Sequence, residues 1–445
     1  MSPASSSAEH AHALRALLTR PDLAHLLTVL NAGGEEARVV GGAVRDALMH
    51  RPVGDIDIAT TALPETVIRR VTSHGWKAVP TGIEHGTVTV VINGVPFEVT
   101  TLRRDVSTGG RRAIVAFTRD FAEDAFRRDF TINALSLAVD GTVHDYSTGV
   151  ADARAGLVRF MGAPETRIRE DYLRILRFFR FQASHGSAAL DAEGLAACAA
   201  LKAGLGQLSR ERIRQEILKL LVANAALAAV QSMLDIGIWQ ELLPDIPINL
   251  DSLRHMVALE NGLGLSSHPI RRLAALLLGS NEALAKGSTQ AKSLRAAITA
   301  LLRLSRKQQT VLTAIERHAT GFEGADVAVS LFGACLIETN PETALDCLIV
   351  GLARSKADRV LAKAWLESAR PLLENPPSVP FRQLDFAALG IGEGPERGQF
   401  LKQAIENWIR DGLSDDPARH QAILAAMLPG KTWLPGRTWL SVKIG

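Results

Sequence analysis

The sequence predicts an α+β protein, a small mixed-sheet head followed by an extended all-α neck, body and tail. Three observations carry that expectation. Up to about Asp140, short β-branched runs alternate with helical stretches. Beyond that point the strand signal nearly vanishes and apolar residues recur at the helical period. At 445 residues the chain is also too long for a single core. The expected boundaries are a head over 1–140, a neck over 141–222, a body over 223–370 and a tail over 371–445.

Each element follows from local pattern. Residues 11–30, with Leu14, Leu17, Leu18, Leu23, Leu26, Leu27 and Leu30, read as helix. Arg38-Val39-Val40 reads as a strand running into the Gly41-Gly42 turn, and Ala43 to Met49 as a short helix. Asp55 to Ala59 reads as the second strand, and Pro64 to His74 as a helix with proline in its first turn. Thr87–Ile92 and Pro96–Thr100 read as strands, and Asn93-Gly94 between them is a hairpin signal. The windows Ile168–Ser184, Arg210–Leu220, Leu227–Leu234 and Ile270–Leu278 carry helical period. Pro371 to Pro377 should break the helical run before a last segment with an amphipathic helix (Phe400, Leu401, Ala404, Trp408).

Net charge is only +3, so bulk charge does not announce nucleic acid, but arginines crowd three segments around 103–128, 159–180 and 210–214. Clustered guanidiniums can track a phosphate backbone or simply solvate helix faces. Cys198, Cys335 and Cys347 are scattered and suggest neither a disulfide framework nor a zinc site. The first nine residues lack an apolar core, and no apolar run reaches membrane-spanning length. A reducing cytoplasm is the expected location.

The chemistry concentrates in Gly41-Gly42-Ala43-Val44-Arg45-Asp46 followed by Asp55-Ile56-Asp57. Glycines let a backbone approach phosphate oxygens closely. On a strand, the period of two sets Asp55 and Asp57 on one face and Ile56 and Ile58 on the other. Adjacent carboxylates repel unless a cation lies between them. Mg²⁺ is the oxygen-loving cation that bridges to substrate phosphates, so the expected chemistry is metal-dependent nucleotidyl transfer. In Arg127-Arg128-Asp129-Phe130-Thr131-Ile132-Asn133-Ala134, Arg128 can neutralise triphosphate charge. Asp129 and Asn133 share a face if helical and can meet a ribose, or Asp129 can simply cap the next element. Glu170, Arg174 and Arg177 fall on one helical face, with Asp171 one turn from Arg174. A carboxylate accepts from cytosine N4 or adenine N6, and a guanidinium donates to the ring acceptors. Asp171 and Arg174 therefore complement a Watson–Crick edge, unless they are only a salt-bridged helix face.

The ordered set resembles the nucleotidyltransferases related to polymerase beta, and within them the bacterial tRNA nucleotidyltransferase and poly(A) polymerase family. The resemblance runs over residues 36–221 and also includes Asp145-Tyr146-Ser147-Thr148-Gly149 and Ser209-Arg210-Glu211-Arg212 with Glu216, Lys219 and Leu220. Tyr146 stands where the family usually has proline. The resemblance implies a class II enzyme that adds C, C and A to tRNA 3′ ends from CTP and ATP, with no nucleic acid template and with Mg²⁺. It implies that Asp55 and Asp57 bind metal, with Glu98 as third carboxylate. Gly41, Gly42 and Arg45 would hold the triphosphate, with Arg128, Asp129 and Asn133 beside them. Asp171 and Arg174 would select the base, with Glu170 orienting the arginine and Arg177 in the same motif. Arg111, Arg112, Arg180 and Arg212 are candidates for touching RNA. The segment Val106–Phe117 matches the place of the family's C-to-A switching loop. A poly(A) polymerase or an A-only adder of the same family is the alternative. Gly54-Asp55-Ile56-Asp57-Ile58 stands where poly(A) polymerases commonly show K-D-F-D-V. His255, His268, Asp251 and Glu260 lack the spacing of a phosphohydrolase appended in some relatives, so none is expected.

Overall fold

The computed structural model describes residues 3–107, 114–187, 189–278, 289–322, 329–382, 384, 386–387, 389 and 391–428. The chain divides into two compact units, Met1–Pro244 and Asp245–Gly445. The first holds the predicted head and neck and the start of the predicted body.

The first unit opens with α1 (Pro3–Leu18) and α2 (Pro21–Leu30), so residues 11–30 form two helices and not one. Pro21 sets the break: it lacks an N–H and starts the second helix at its first turn. Then come β1 (Ala37–Val40), α3 (Gly42–Leu48), β2 (Asp57–Thr60), α4 (Pro64–Ser73), β3 (Lys77–Gly82), β4 (Thr87–Ile92), β5 (Val95–Thr101), β6 (Arg103–Ser107), β7 (Ile114–Phe117), α5 (Phe121–Phe126), β8 (Ser136–Leu137) and β9 (Val143–His144). Seven strands form one sheet in the order β3-β4-β5-β2-β1-β8-β9, and β6 pairs with β7 alone. β2 runs antiparallel to β1 and parallel to β5. The β4–β5 hairpin turns at Asn93 and Gly94, with φ of 50° and 82°, the left-handed pair that matches strand twist.

One sheet face packs Val39, Ile58, Val88 and Val99 against α1–α4. The other carries a smaller cluster of Val40, Ala59, Leu102 and Phe121. Strand alternation sends Asp57 and Glu98 to this second face. Asp55 lies outside the strand, contrary to expectation. β2 first pairs at Asp57, opposite Val40. The residue that follows β1 is Gly41, whose φ of 67° turns the backbone away, so Asp55 has no strand to pair with.

The rest of the unit is helical: α6 (Gly149–Ala155), α7 (Pro164–Glu170), α8 (Leu173–His185), α9 (Ala192–Leu201), α10 (Arg210–Leu221), α11 (Ala226–Asp235) and α12 (Ile238–Leu242). Asp145 takes the N–H groups of Ser147, Gly149 and Val150, which fixes the start of α6. Gly149 has to be glycine, because a Cβ there would lie 2.4 Å from the Thr131 carbonyl. The Phe160 and Phe178 rings stack at 5.5 Å, with Phe130 and Phe181 beside them. Ser209 precedes α10, yet its side chain makes no cap hydrogen bond.

The second unit contains α13 (Leu250–Leu263), α14 (Pro269–Leu278), α15 (Thr289–Leu302), α16 (Arg306–His318), α17 (Val329–Glu338), α18 (Pro341–Arg354), α19 (Arg359–Glu374), α20 (Pro395–Arg410) and α21 (Pro417–Met427). Trp365, Phe381 and Trp408 are fully buried in it. Pro371 lies inside the last turn of α19, so the predicted break comes at Asn375. Among the described residues, no helix is long and apolar enough to cross a membrane. The three cysteines are free and buried.

Candidate active site

Asp57 and Glu98 stand opposite each other across the parallel β2–β5 pair. Asp55 sits in the bend before β2, and all three are exposed. Among the described residues none of the three joins an ion pair. Like charges directly opposite on a sheet are destabilising, and the effect is visible in Asp57. Burial of its surroundings and then the Glu98 charge push its pKa up, against an opposing pull from Arg128. Among the described residues, no three or more His, Cys, Asp or Glu side chains are grouped so as to hold a metal ion by themselves. What they present is an open set of carboxylate oxygens. That donor set fits a hard divalent cation, which completes its shell with water and substrate phosphate.

Arg128 stands beside them. Its Nη2 donates to Asp124 Oδ2 at 3.1 Å, and its Nη1 points to the Asn133 carbonyl at 3.3 Å. A Cβ at Gly41 would lie 3.0 Å from that same Nη1, so the glycine turn and the guanidinium are in near contact. Asp124 also takes Arg127. Burial would raise the Asp124 pKa, but Arg128 and Arg127 outweigh it and hold the carboxyl below its usual range.

Asp129 and Asn133 adjoin a short 3₁₀ turn, Thr131–Asn133, and not an α-helix. The two side chains still meet: Asn133 Nδ2 donates to Asp129 Oδ1 at 3.0 Å. Asp129 Oδ2 accepts from Arg177 at 2.6 Å. Burial alone would raise the Asp129 pKa; the Arg177 guanidinium and the Asn133 amide leave it lowered. Arg45, expected to grip triphosphate, is buried. It donates through Nη1 to Asn133 Oδ1 at 2.6 Å and through Nε to Asp46 Oδ1 at 2.9 Å.

The predicted helix over Ile168–Ser184 is broken. α7 ends at Glu170, Asp171 takes extended dihedrals (φ −156°, ψ 105°), and α8 begins at Leu173. Asp171 causes the break. Its Oδ1 accepts the Leu173 N–H at 3.1 Å, and its Oδ2 accepts Arg212 Nη2 at 2.7 Å. Local capping by an aspartate competes with helix continuation. Asp171 and Arg174 therefore lie at a joint and the first turn of α8, not along one uninterrupted face. Glu170 accepts from both Arg167 and Arg174. Arg174 also donates to the carbonyls of Arg167 and Arg127. An open cavity of about 520 Å³, lined by Glu170, Arg167, Arg127, Phe126 and Arg104 among others, lies alongside.

Arg180, a candidate RNA contact, pairs with Glu216 of α10 at 2.5 Å and is largely buried. Arg212, another, is engaged with Asp171. Arg111 and Arg112 lie outside the described residues. Sequence reading gave no individual site role to Asp124, which pairs locally with Arg127 and Arg128, or to Arg167 and His185, whose contacts join distant segments. The acidic spacing of Asp124 to Arg127 and Arg128 is the one local signal that pointed to any of them.

A mixed sheet bearing unpaired carboxylates beside a glycine turn and a held guanidinium defines the class of nucleotidyltransferases. The comparisons agree. A family model described as poly A polymerase head domain matches residues 37–159. A second, described as a probable RNA- and SrmB-binding site of polymerase A, matches residues 189–248. The mouse mitochondrial CCA tRNA nucleotidyltransferase 1 is 32% identical over 386 residues, covering 85% of this chain and 83% of its own. A CCA-adding enzyme from Levilactobacillus brevis is 39% identical over 52% of this chain and 58% of its own. The crystal structure of the Bacillus stearothermophilus CCA-adding enzyme in complex with CTP aligns with a TM-score of 0.71 at 27% identity, over 91% of this chain and 96% of that one. The chain belongs to the CCA tRNA nucleotidyltransferase family.

Proposed function

We propose that this chain adds C, C and A in turn to the 3′ end of tRNA, consuming CTP and ATP and releasing pyrophosphate. The observation that carries the reading is the set of unpaired carboxylates, Asp55, Asp57 and Glu98, beside Arg128 and the Gly41 turn. Relatives named as CCA-adding enzymes, one of them solved with CTP, support the substrate class.

In this reading Asp55 and Asp57 hold Mg²⁺, with Glu98 as the third acidic neighbour. A cation held there would supply positive charge for attack of the primer hydroxyl on the nucleotide. Arg128, stationed by Asp124, faces the triphosphate where Gly41 and Gly42 let it approach the backbone. Asp129 and Asn133 meet the ribose. Arg45 serves at one remove by holding Asn133, and Arg177 by holding Asp129. Asp171 offers an acceptor and Arg174, steadied by Glu170, offers donors to the base edge. Arg180 and Arg212 brace this arrangement, and Arg111 and Arg112 are left as candidate RNA contacts. Residues 1–140 act as the catalytic head, 141–222 as the selecting neck, and 223–370 and 371–445 as body and tRNA-holding tail. The three free cysteines accord with a reducing cytoplasm.

Three tRNA transcripts test the proposal, ending before the CCA, after its second C, and after its A. Each is offered single and mixed nucleoside triphosphates. Two C additions, one A addition and then arrest are expected. Continued ATP incorporation onto the complete end would identify a poly(A) polymerase. Activity confined to the transcript ending in CC would identify an A-only adder.

A further inference from the structure

Helix α8 is fastened to the head at two places. Near its middle, Arg177 Nη2 donates to Asp129 Oδ2 at 2.6 Å. At its C-terminal end, His185 Nε2 lies 3.2 Å from Asp46 Oδ1, and Arg51 donates to the Ser184 carbonyl. The two fastenings are joined within the head. Asp129 accepts from Asn133, Asn133 accepts from Arg45, and Arg45 donates to the same Asp46 oxygen that faces His185. Six side chains thus close a ring, Arg177–Asp129–Asn133–Arg45–Asp46–His185, whose first and last members both belong to α8.

Phe181 sits against this ring. The guanidinium carbons of Arg45 and Arg177 each lie 5.3 Å from its centroid, and the His185 ring lies 5.5 Å away. The aromatic face favours cations at that distance. Its bulk leaves little room for the ring members to rearrange in a close-packed interior. His185 is mostly buried, and burial pushes its pKa below the ordinary histidine value despite the Asp46 hydrogen bond. A neutral imidazole that donates from Nε2 can accept at Nδ1 from the Ser184 hydroxyl, 2.7 Å away. The charged groups facing it are Asp46, Arg45 and Arg51.

Two members of the ring, Asp129 and Asn133, belong to the proposed nucleotide site, and the other four lie behind them. We infer that His185, through Asp46, is a positioning residue for nucleotide selection: it fixes the C-terminal end of α8 against α3 and so sets where Asp129, Asn133 and the N-terminal end of α8 meet the incoming nucleotide. His185 itself touches no substrate. The inference rests on the reading that Asp171 and Arg174 select the base. Networks of this kind are coupled, so losing one member is felt at the others.

His185→Ala and His185→Gln test it on the full chain, with tRNA lacking its CCA end and each nucleoside triphosphate in turn. Glutamine keeps a donor at similar reach. His185→Ala should raise the KM for CTP and ATP about tenfold and raise UTP incorporation relative to CTP several-fold, while the KM for tRNA stays unchanged. His185→Gln should recover to within about twofold of wild type. Unchanged KM values and unchanged choice in His185→Ala overturn the inference. So does a loss confined to kcat that vanishes when both proteins are assayed well below their Tm, since that marks a purely structural role. Arg174→Ala, run alongside, separates the two readings. Relaxed choice in Arg174→Ala with wild-type behaviour in His185→Ala overturns the positioning role alone. Full preference for CTP and then ATP in Arg174→Ala overturns the selection reading and the inference with it.

Discussion

Two groups of carboxylates in this protein meet opposite treatment. In the first unit, Asp55, Asp57 and Glu98 are exposed and join no ion pair among the described residues. In the second unit, Glu260 and Asp346 are buried among basic side chains. Arg272 lies 2.7 Å from Glu260, Arg271 is 3.4 Å from Glu260 and 3.2 Å from Asp346, and His268 is 3.0 Å from Asp346. Buried charge is tolerated only when it is paired. The charges of the second group are paired with one another, although Glu260 Oε1, Asp346 Oδ2 and Arg271 Nη1 are buried without a hydrogen bond. The first keeps its charge in reserve, and the raised pKa of Asp57 is the sign of that. Acidic residues alone do not mark a site; acidic residues left without partners do.

The comparison can be broken at its strongest point. Asp55→Ala or Asp57→Ala should abolish nucleotide transfer while the thermal midpoint and tRNA binding stay close to wild type. Near-normal incorporation of CTP by either variant would remove the reason for treating the first group as special. Glu260→Ala should do the reverse. It removes a carboxylate shared by two buried guanidiniums and should cost about 3–5 kcal/mol of stability, read by urea unfolding, with transfer per folded molecule unchanged. A folded Glu260→Ala protein without transfer activity would erase the distinction.

Asp124 sharpens it, being a paired carboxylate within the first unit. Asp124→Asn should cost roughly 3 kcal/mol at neutral pH, because Arg127 and Arg128 lose their partner. The pH dependence has a definite sign. The folded pKa lies below the unfolded one, so the stabilisation is complete above the unfolded value near ~4 and is lost as pH falls through the folded value. The gap between wild type and variant should close in acid, and a constant gap would mean the charge is not what stabilises. The smallest effect is expected at the base-reading pair. Asp171→Ala or Arg174→Ala should relax the choice of nucleotide by roughly tenfold to a hundredfold, the ~1–3 kcal/mol of a good base contact. If both lose rate yet keep full preference for CTP and then ATP, that pair belongs with the architectural group.

Much of this was legible in the sequence, and the gaps have a common cause. Asn93-Gly94 announced its hairpin, and α10 begins at the predicted Arg210, because turn chemistry and helical period are local. β3 went unread because Lys77–Gly82 is half polar and ends in glycine. The carboxylate set was visible as residue types, but Asp55's place outside the strand depends on Gly41 turning the partner strand away. The break at Asp171 was hidden for a similar reason. The apolar period runs across it without proline or glycine, and the deciding contact comes from Arg212 on a later helix. His185 and Asp46 belong to segments that meet only in the folded chain, so no spacing rule could join them.

If Asp171 reads the base as proposed, its contact with Arg212 means that the reading carboxylate already has a partner. An arriving base would then not meet a bare carboxylate; it would have to share or displace a guanidinium already in place. A hydrogen bond to a charged group is worth about 1.5–3 kcal/mol. A base that offers one good contact then gains little by the exchange, while one that matches both Asp171 and Arg174 still profits. On the proposed reading that Asp171 and Arg174 select the base, the internal arginine would then be a competitor that sets a threshold, at some expense in affinity for the right nucleotide. Tighter binding of both CTP and UTP to Arg212→Met, with a narrower gap between them, is what such competition requires.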